Sequence, residues 1–384
     1  MSNRFILNET SYHGYGAVNE LVPEIRARGF QKALVVTDKG LVACGVAGKV
    51  TSLLDAAHCP YEVYADVKAN PTVKTVKDGV AAFKKAKADY IVAVGGGSVM
   101  DAAKAVGIII NNPEYADVLS LEGAVQTKNR SVPLIAVATT AGTASEVTIN
   151  YVITDEEKQH KFACIDPHDI PVVAIVDPAL MADMPKALAA ATGMDALTHA
   201  IEGYITKAAW EMSDTLNLKA IEIIARSLRK AIAGDAKGRE DMALGQYMTG
   251  MAFSNVGLGT VHAMAHPLGA FYDIAHGVAN AVLLPYVMAY NADCTASKYK
   301  YIAEAMGVDT LEMDADEYRT AAVDAVKKLA ADVGIPKTLK EIGVKEDDLE
   351  ALAEAAMADV CIGGNPKECT KESLFALYKK AFAG

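Results

Sequence analysis

Apolar residues in the first half of the chain come in short unbroken runs. Residues 32–37, 90–94, 133–139 and 172–177 are apolar through their interiors and rich in β-branched side chains, the pattern of strands covered on both faces. Between them, residues 42–57 and 73–87 read as helices. This alternation predicts a parallel α/β sheet, whose ligands bind beyond the carboxyl ends of the strands. After Met184 the pattern changes to Ala-rich helical stretches, at 185–205, 213–232, 240–253, 260–271, 276–290, 297–306, 315–333 and 349–358. Pro185 suits a first helical turn. The expected organisation is an α/β N-terminal domain over 1–184 and an all-helical C-terminal domain over 185–384, without internal repeats.

Composition narrows the function classes. A chain of 384 residues suits two domains. With 52% apolar and 22% charged residues it reads as a soluble globular protein. A net charge of -11 argues against a nucleic-acid partner, which would be met by Lys and Arg. No apolar run approaches membrane-spanning length. The stretch 1–9 has no apolar core behind Arg4, so no secretory signal is expected and the expected location is cytoplasmic. Six cysteines without a Cys-x-x-Cys pair read as reduced thiols.

Candidate chemistry enters first at Gly95-Gly96-Gly97-Ser98, which follows a strand and opens a helix over 99–110. Glycines let backbone approach an anion, and a helix N-terminus favours a pyrophosphate there. The loop lacks the G-x-G-x-x-G spacing, and by itself is as readily a tight turn. Ser98 and Asp101 have the spacing of a capping box. A second polar loop, Thr139-Thr140-Ala-Gly-Thr143, follows another strand and raises the expectation of a dinucleotide. Asp38 ends a strand where a carboxylate accepts from ribose hydroxyls and repels a 2′-phosphate, which favours NAD over NADP; a plain turn residue explains it equally well.

The second half concentrates imidazoles. Asp195 and His199 are four apart, as are His262 and His266, so each pair shares one helix face. With His276 these five side chains suffice to enclose one divalent metal. A single buried His is as readily a core residue, but the set is harder to explain by packing. Nitrogen and oxygen donors suit iron, zinc or nickel, and spacing alone does not choose among the five or between iron and zinc. Glu202, further along the helix of Asp195 and His199, can orient a ligand from behind, and an exposed or capping role explains it at least as well. From Glu240 to Ser297 there is no Lys or Arg. No clamp for an anionic substrate is present there, so a small uncharged substrate is expected; a buried helical region also lacks basic residues for packing alone, and a clamp can come from elsewhere in the chain.

Taken together, Gly95-Gly-Gly-Ser-x-x-Asp101, Thr139-Thr-Ala-Gly-Thr-x-x-Glu146, Asp195-x-x-x-His199 and His262-x-x-x-His266-Pro-Leu-Gly-Ala, followed by His276-Gly, resemble the iron-dependent (group III) alcohol dehydrogenases. The likeness runs from Asn3 through Tyr378. It implies the dehydroquinate synthase-like architecture. It also implies that Asp195, His199, His262 and His276 ligate the metal, while His266 lies close by without binding it; His266 is the candidate catalytic residue, as a proton relay to solvent, with a supporting or core imidazole as the other reading. Asp38, Asn70, Gly97, Ser98, Thr139, Thr143 and Lys161 would contact NAD, with Gly96 and Thr140 in the same two loops. Asn150, Val152, Phe253, Leu258 and Cys361 would line a short substrate pocket. The implied activity is NAD-dependent interconversion of a small aldehyde and its alcohol on a divalent metal, Fe2+ or else Zn2+, in at least a homodimer in which residues 4–9 pair across chains. A lyase of the same architecture that grips a phosphorylated acid is the alternative from another class, and it needs basic residues that are not evident.

Overall fold

The computed structural model describes residues 2–158 and 160–384. The chain divides into two compact units, Met1–Asp183 and Met184–Gly384.

The first unit holds a six-stranded sheet of β1 (Thr10–His13), β2 (Ala33–Val36), β3 (Tyr61–Tyr64), β4 (Tyr90–Gly95), β5 (Leu134–Ala138) and β8 (Val173–Val176), in the order β1-β8-β5-β4-β2-β3. Every pairing in it is parallel. A separate antiparallel hairpin is formed by β6 (Asn150–Asp155) and β7 (His160–Ile165). The four predicted strands are the sheet's interior. Along β2, β4 and β5, alternate residues enter different cores: Leu34, Val36, Ile91, Ala93, Leu134 and Ala136 pack in one. Val35, Val92, Val94, Ile135, Val137 and Ile175 pack in the other. Both faces are dry, which is why these strands read as continuous apolar runs.

The strands that carry no such run are the edges and the hairpin. β1 is Thr-Ser-Tyr-His and only partly buried, β3 is half exposed, and β6 alternates buried and half-buried residues. The helix expected over 42–57 is two pieces, Lys39–Ala43 and Val46–Ala56, because Gly45 turns left-handed at φ 80°. Residues 4–9 form no strand in the single chain, and the Asn8 side chain donates to the Glu146 carbonyl at 3.0 Å.

The second unit is helical, and among the described residues it contains no strand. Its helices are Lys186–Ile205, Glu211–Ile232, Ala236–Val256, Thr260–Tyr272, His276–Asn291, Lys298–Ala305, Ala315–Asp332, Leu349–Met357 and Lys371–Ala383. Pro185 stands at the N-cap of the first of these, one place before the expected position. Asp235 accepts from the Gly238 N–H at 2.6 Å and so starts the third helix four residues earlier than the periodicity suggests. Among the described residues no helix is long and apolar enough to cross a membrane.

Candidate active site

Three loops leave the carboxyl ends of neighbouring strands in the first unit. Going outward from the line between β2 and β4, the chain runs β2 to β3 on one side and β4 to β5 to β8 on the other. That line is the topological switch point where open α/β sheets bind ligands. Asp38 follows β2, Gly96 to Ser98 follow β4, and Thr139 to Thr143 follow β5. Gly95 is in register with Ala138, and the Thr139 N–H donates to the Gly95 carbonyl at 3.1 Å, so the glycine and threonine loops lie side by side.

The glycines are required by this closeness. A Cβ on Gly96 would lie 2.9 Å from Thr140 Cγ2, and one on Gly97 would lie 2.8 Å from Thr143 Cγ2. Asp38 accepts from the Leu41 N–H at 2.9 Å and caps the short helix after β2, so the turn role is real. The Lys161 ammonium donates to Asn70 Oδ1 at 2.6 Å, bringing two of the expected dinucleotide contacts together.

The expected Ser98–Asp101 capping box is not formed. The helix Gly97–Asn111 has Gly96 at its N-cap with no side-chain cap, and Asp101 instead accepts from the Val152 N–H at 3.1 Å. One turn on, the fully buried Lys104 donates to the Thr148 carbonyl and hydroxyl at 2.7 and 2.9 Å and to the Asn150 carbonyl at 2.8 Å. Burial pushes Asp101 up to about 6 and pulls Lys104 down. One helix therefore fixes both the glycine loop and the strand bearing Asn150 and Val152. Replacing Lys104 by Met leaves those carbonyls without their donor and is expected to lower unfolding free energy by roughly 3 kcal/mol, measured by urea denaturation.

In the second unit, Asp195, His199, His262 and His276 each offer one donor atom, and these four atoms lie within 4.8 Å of one another. Asp195 and His199 come from the Lys186–Ile205 helix, His262 from Thr260–Tyr272, and His276 opens His276–Asn291. Asp195, His199 and His262 are almost fully buried. Burial pushes the Asp195 carboxyl up and holds the His262 imidazole well below its ordinary value.

The site fits a cation. The Asn280 amide nitrogen meets Asp195 Oδ1 at 2.6 Å and the Nε2 atoms of His262 and His276 at 3.1 Å each. Three polar atoms thus crowd one amide nitrogen that has only two protons to give. His199 Nδ1 is buried with no hydrogen-bond partner among the described residues, 4.0 Å from Asp195 Oδ2. A bond to a cation would satisfy such a nitrogen. Three imidazoles and one carboxylate form a donor set suited to iron or zinc.

Residues 8–178 match the family described as iron-containing alcohol dehydrogenase, and residues 189–382 match the C-terminal part of the Fe-containing alcohol dehydrogenase family. The chain belongs to the iron-containing alcohol dehydrogenase family. It is 60% identical over 382 residues to lactaldehyde reductase of Escherichia coli (strain K12), covering 100% of both chains. It is 41% identical to 1,3-propanediol dehydrogenase of Klebsiella pneumoniae over 98% of each. Among solved structures, a 1,3-propanediol oxidoreductase superposes with TM-score 0.96 at 40% identity over 100% of both chains. Sulfoacetaldehyde reductase from Bifidobacterium kashiwanohense in complex with NAD+ gives 0.88 at 29% over 99% of both.

Around the donors of this alcohol dehydrogenase stands a supporting ring. Glu202 pairs with His262 Nδ1 at 2.6 Å and also accepts from the Val261 N–H at 2.6 Å, which leaves Nε2 of His262 facing the other donors. Its carboxyl is pushed up to about 7 by burial, against the pull of backbone N–H groups. Glu202→Gln is expected to weaken metal affinity by about 10- to 100-fold, measured by competition with a chelating dye. Phe253 stacks on His199 with centroids 4.4 Å apart. His266 is outside the four-donor cluster; it stacks on His276 at 5.4 Å and its Nδ1 pairs with Asp359 Oδ2 at 2.7 Å. Cys361 is on the same turn, its N–H donating to Asp359 Oδ1 at 2.8 Å. Leu258 lies against this turn, because a Cβ on Gly364 would come 2.1 Å from its carbonyl oxygen.

Asn280 and Asp359 were not singled out by sequence. Asn280 is four residues after His276, so helical spacing was the available signal. Asp359 is 93 residues from His266, and no local pattern announces it.

Proposed function

We propose that this protein is an NAD-dependent reductase of lactaldehyde, interconverting it with 1,2-propanediol. The four-donor cluster of Asp195, His199, His262 and His276 carries the reading, and full-length likeness to a lactaldehyde reductase supports the substrate. A divalent ion there, Fe2+ by family, supplies Lewis-acid polarisation of the substrate oxygen, and the dinucleotide supplies the hydride.

The chain's own residues do the rest. Asp38, Asn70, Gly96, Gly97, Ser98, Thr139, Thr140, Thr143 and Lys161 hold the dinucleotide. The backbone of the glycine turn and the hydroxyls of the threonine loop would offer donors to its phosphates. Asp195 with three neutral imidazoles leaves the centre net positive, which favours alkoxide character on the substrate oxygen. Glu202 keeps His262 in the tautomer whose Nε2 is free to ligate. His266, fixed through Nδ1 by Asp359, carries the proton between product oxygen and solvent. Phe253, Leu258 and Cys361, and in the first unit Asn150 and Val152, are the candidate contacts for a substrate of two to four carbons. The absence of Lys and Arg from Glu240 to Ser297 favours an uncharged substrate. The protein works in the cytoplasm as a homodimer or higher homo-oligomer.

The test is a set of initial rates with NADH on iron-reconstituted protein, using glycolaldehyde, lactaldehyde, propionaldehyde, 3-hydroxypropionaldehyde and butyraldehyde. Lactaldehyde is expected to give the highest kcat/KM. A tenfold preference for 3-hydroxypropionaldehyde would move the assignment to 1,3-propanediol, and no NADH consumption with any of them would remove the reading.

A further inference from the structure

His266, the imidazole outside the four-donor cluster, belongs to a second convergence of chemically different donors. It contributes a nitrogen, Asp359 an oxygen and Cys361 a sulfur, and these three atoms lie within 4.8 Å of one another. The two clusters share no residue. His266 comes from the Thr260–Tyr272 helix, while Asp359 and Cys361 bracket the start of the short turn Val360–Gly364. The set is tied together by hydrogen bonds. Asp359 spans it, with Oδ2 on His266 Nδ1 at 2.7 Å and Oδ1 on the Cys361 N–H at 2.8 Å. His266 and Asp359 are each about nine-tenths buried at the side chain. Little ordering remains to be done when a ligand arrives, and low exposure strengthens attraction for a cation.

We propose that His266, Asp359 and Cys361 form a second cation site, for a borderline divalent ion such as zinc. One imidazole, one carboxylate and one thiolate are a donor set for zinc, which takes three protein ligands and leaves a fourth position to water. The four-donor centre has no sulfur and suits harder ions equally well, so the two sites differ in preference. On binding, the Cys361 S–H bond breaks, a sulfur–metal bond forms and the proton goes to solvent; no electron is transferred. The proton shared by His266 Nδ1 and Asp359 passes to His266 Nε2, and the hydrogen bond is exchanged for bonds from Nδ1 and the carboxylate to the ion. An ion held here occupies His266 and blocks the pocket beside Cys361, so zinc in excess of the catalytic metal inhibits reduction. That consequence rests on the proton-carrying role given to His266 above, whereas the binding itself does not.

The test reads sulfur ligation directly. The full-length chain is titrated anaerobically with Co2+ and followed in the near ultraviolet, where a thiolate on cobalt gives a charge-transfer band and nitrogen and oxygen donors do not. Equilibrium dialysis is expected to give two Co2+ per chain, with the band tracking one of them. Cys361→Ser is expected to bind the cobalt that gives no band and to lose the band itself. Asp359→Asn is expected to raise its half-saturation concentration at least about tenfold. No sulfur band at saturating Co2+, or a band of undiminished intensity in Cys361→Ser, would overturn the proposal. Neither outcome touches the aldehyde assay, so this site and the dehydrogenase reading fail separately.

Discussion

Asp195→Asn is expected to lower kcat/KM for aldehyde and NADH by about a thousandfold while leaving the thermal midpoint within a few degrees of the parent. The substitution is nearly isosteric, and an amide oxygen can still accept from Asn280, whose bond to Asp195 Oδ1 is 2.6 Å. What disappears is the one negative charge among four donors. Without it the cation is held by neutral groups alone, and the polarisation of the substrate oxygen that a bound metal supplies, several kcal/mol, is forfeited. At about 1.4 kcal/mol per decade, that is roughly three decades in rate. Steady-state kinetics with metal analysis on the same samples checks it. Near-parental activity in Asp195→Asn would mean that this carboxylate does not hold the ion.

Gly97→Ala is expected to raise KM for NADH at least about tenfold with metal content unchanged. The new Cβ would stand 2.8 Å from Cγ2 and 3.1 Å from both Cβ and Oγ1 of Thr143. Thr is stiff at χ1 and has little room to turn away, so the glycine and threonine loops must part. They are the two loops joined by the Thr139 to Gly95 hydrogen bond, and a pyrophosphate cradle loses its geometry when they separate. Gly48→Ala is the control. Gly48 lies in the Val46–Ala56 helix with nothing within 4 Å of its would-be Cβ, and Ala there favours the helix by about 1 kcal/mol. Equal NADH kinetics in Gly97→Ala and the parent would detach this turn from the dinucleotide.

The parts of the fold legible in sequence are those where one physical force dominates. β2, β4, β5 and β8 are dry on both faces, so their apolar runs are unbroken and easily seen. β1 and β3 are only partly buried, and the β6–β7 hairpin buries only some of its positions, among them Tyr151, Ile153, Phe162 and Cys164, so none of their sequences shows an unbroken apolar run. Propensity also misled at Gly45, where a left-handed residue cuts a helix that periodicity continues. At the site, spacing of four exposed the Asp195–His199 and His262–His266 pairs. It could not say that His266 stands outside the cluster, because its partner Asp359 is remote in sequence. Glu202 was visible as a helix neighbour, but its aim at His262, across 60 residues, was not. The Ser98–Asp101 spacing matched a cap by coincidence, since Asp101 is spent on the Val152 N–H.

Anomalous diffraction at the iron absorption edge, from crystals of the iron-reconstituted chain, tests the central assignment without reference to activity. A strong peak is expected within about 2.0–2.2 Å of Asp195 Oδ and of one ring nitrogen each from His199, His262 and His276. A peak ligated by other residues, or none where these four side chains meet, would contradict it.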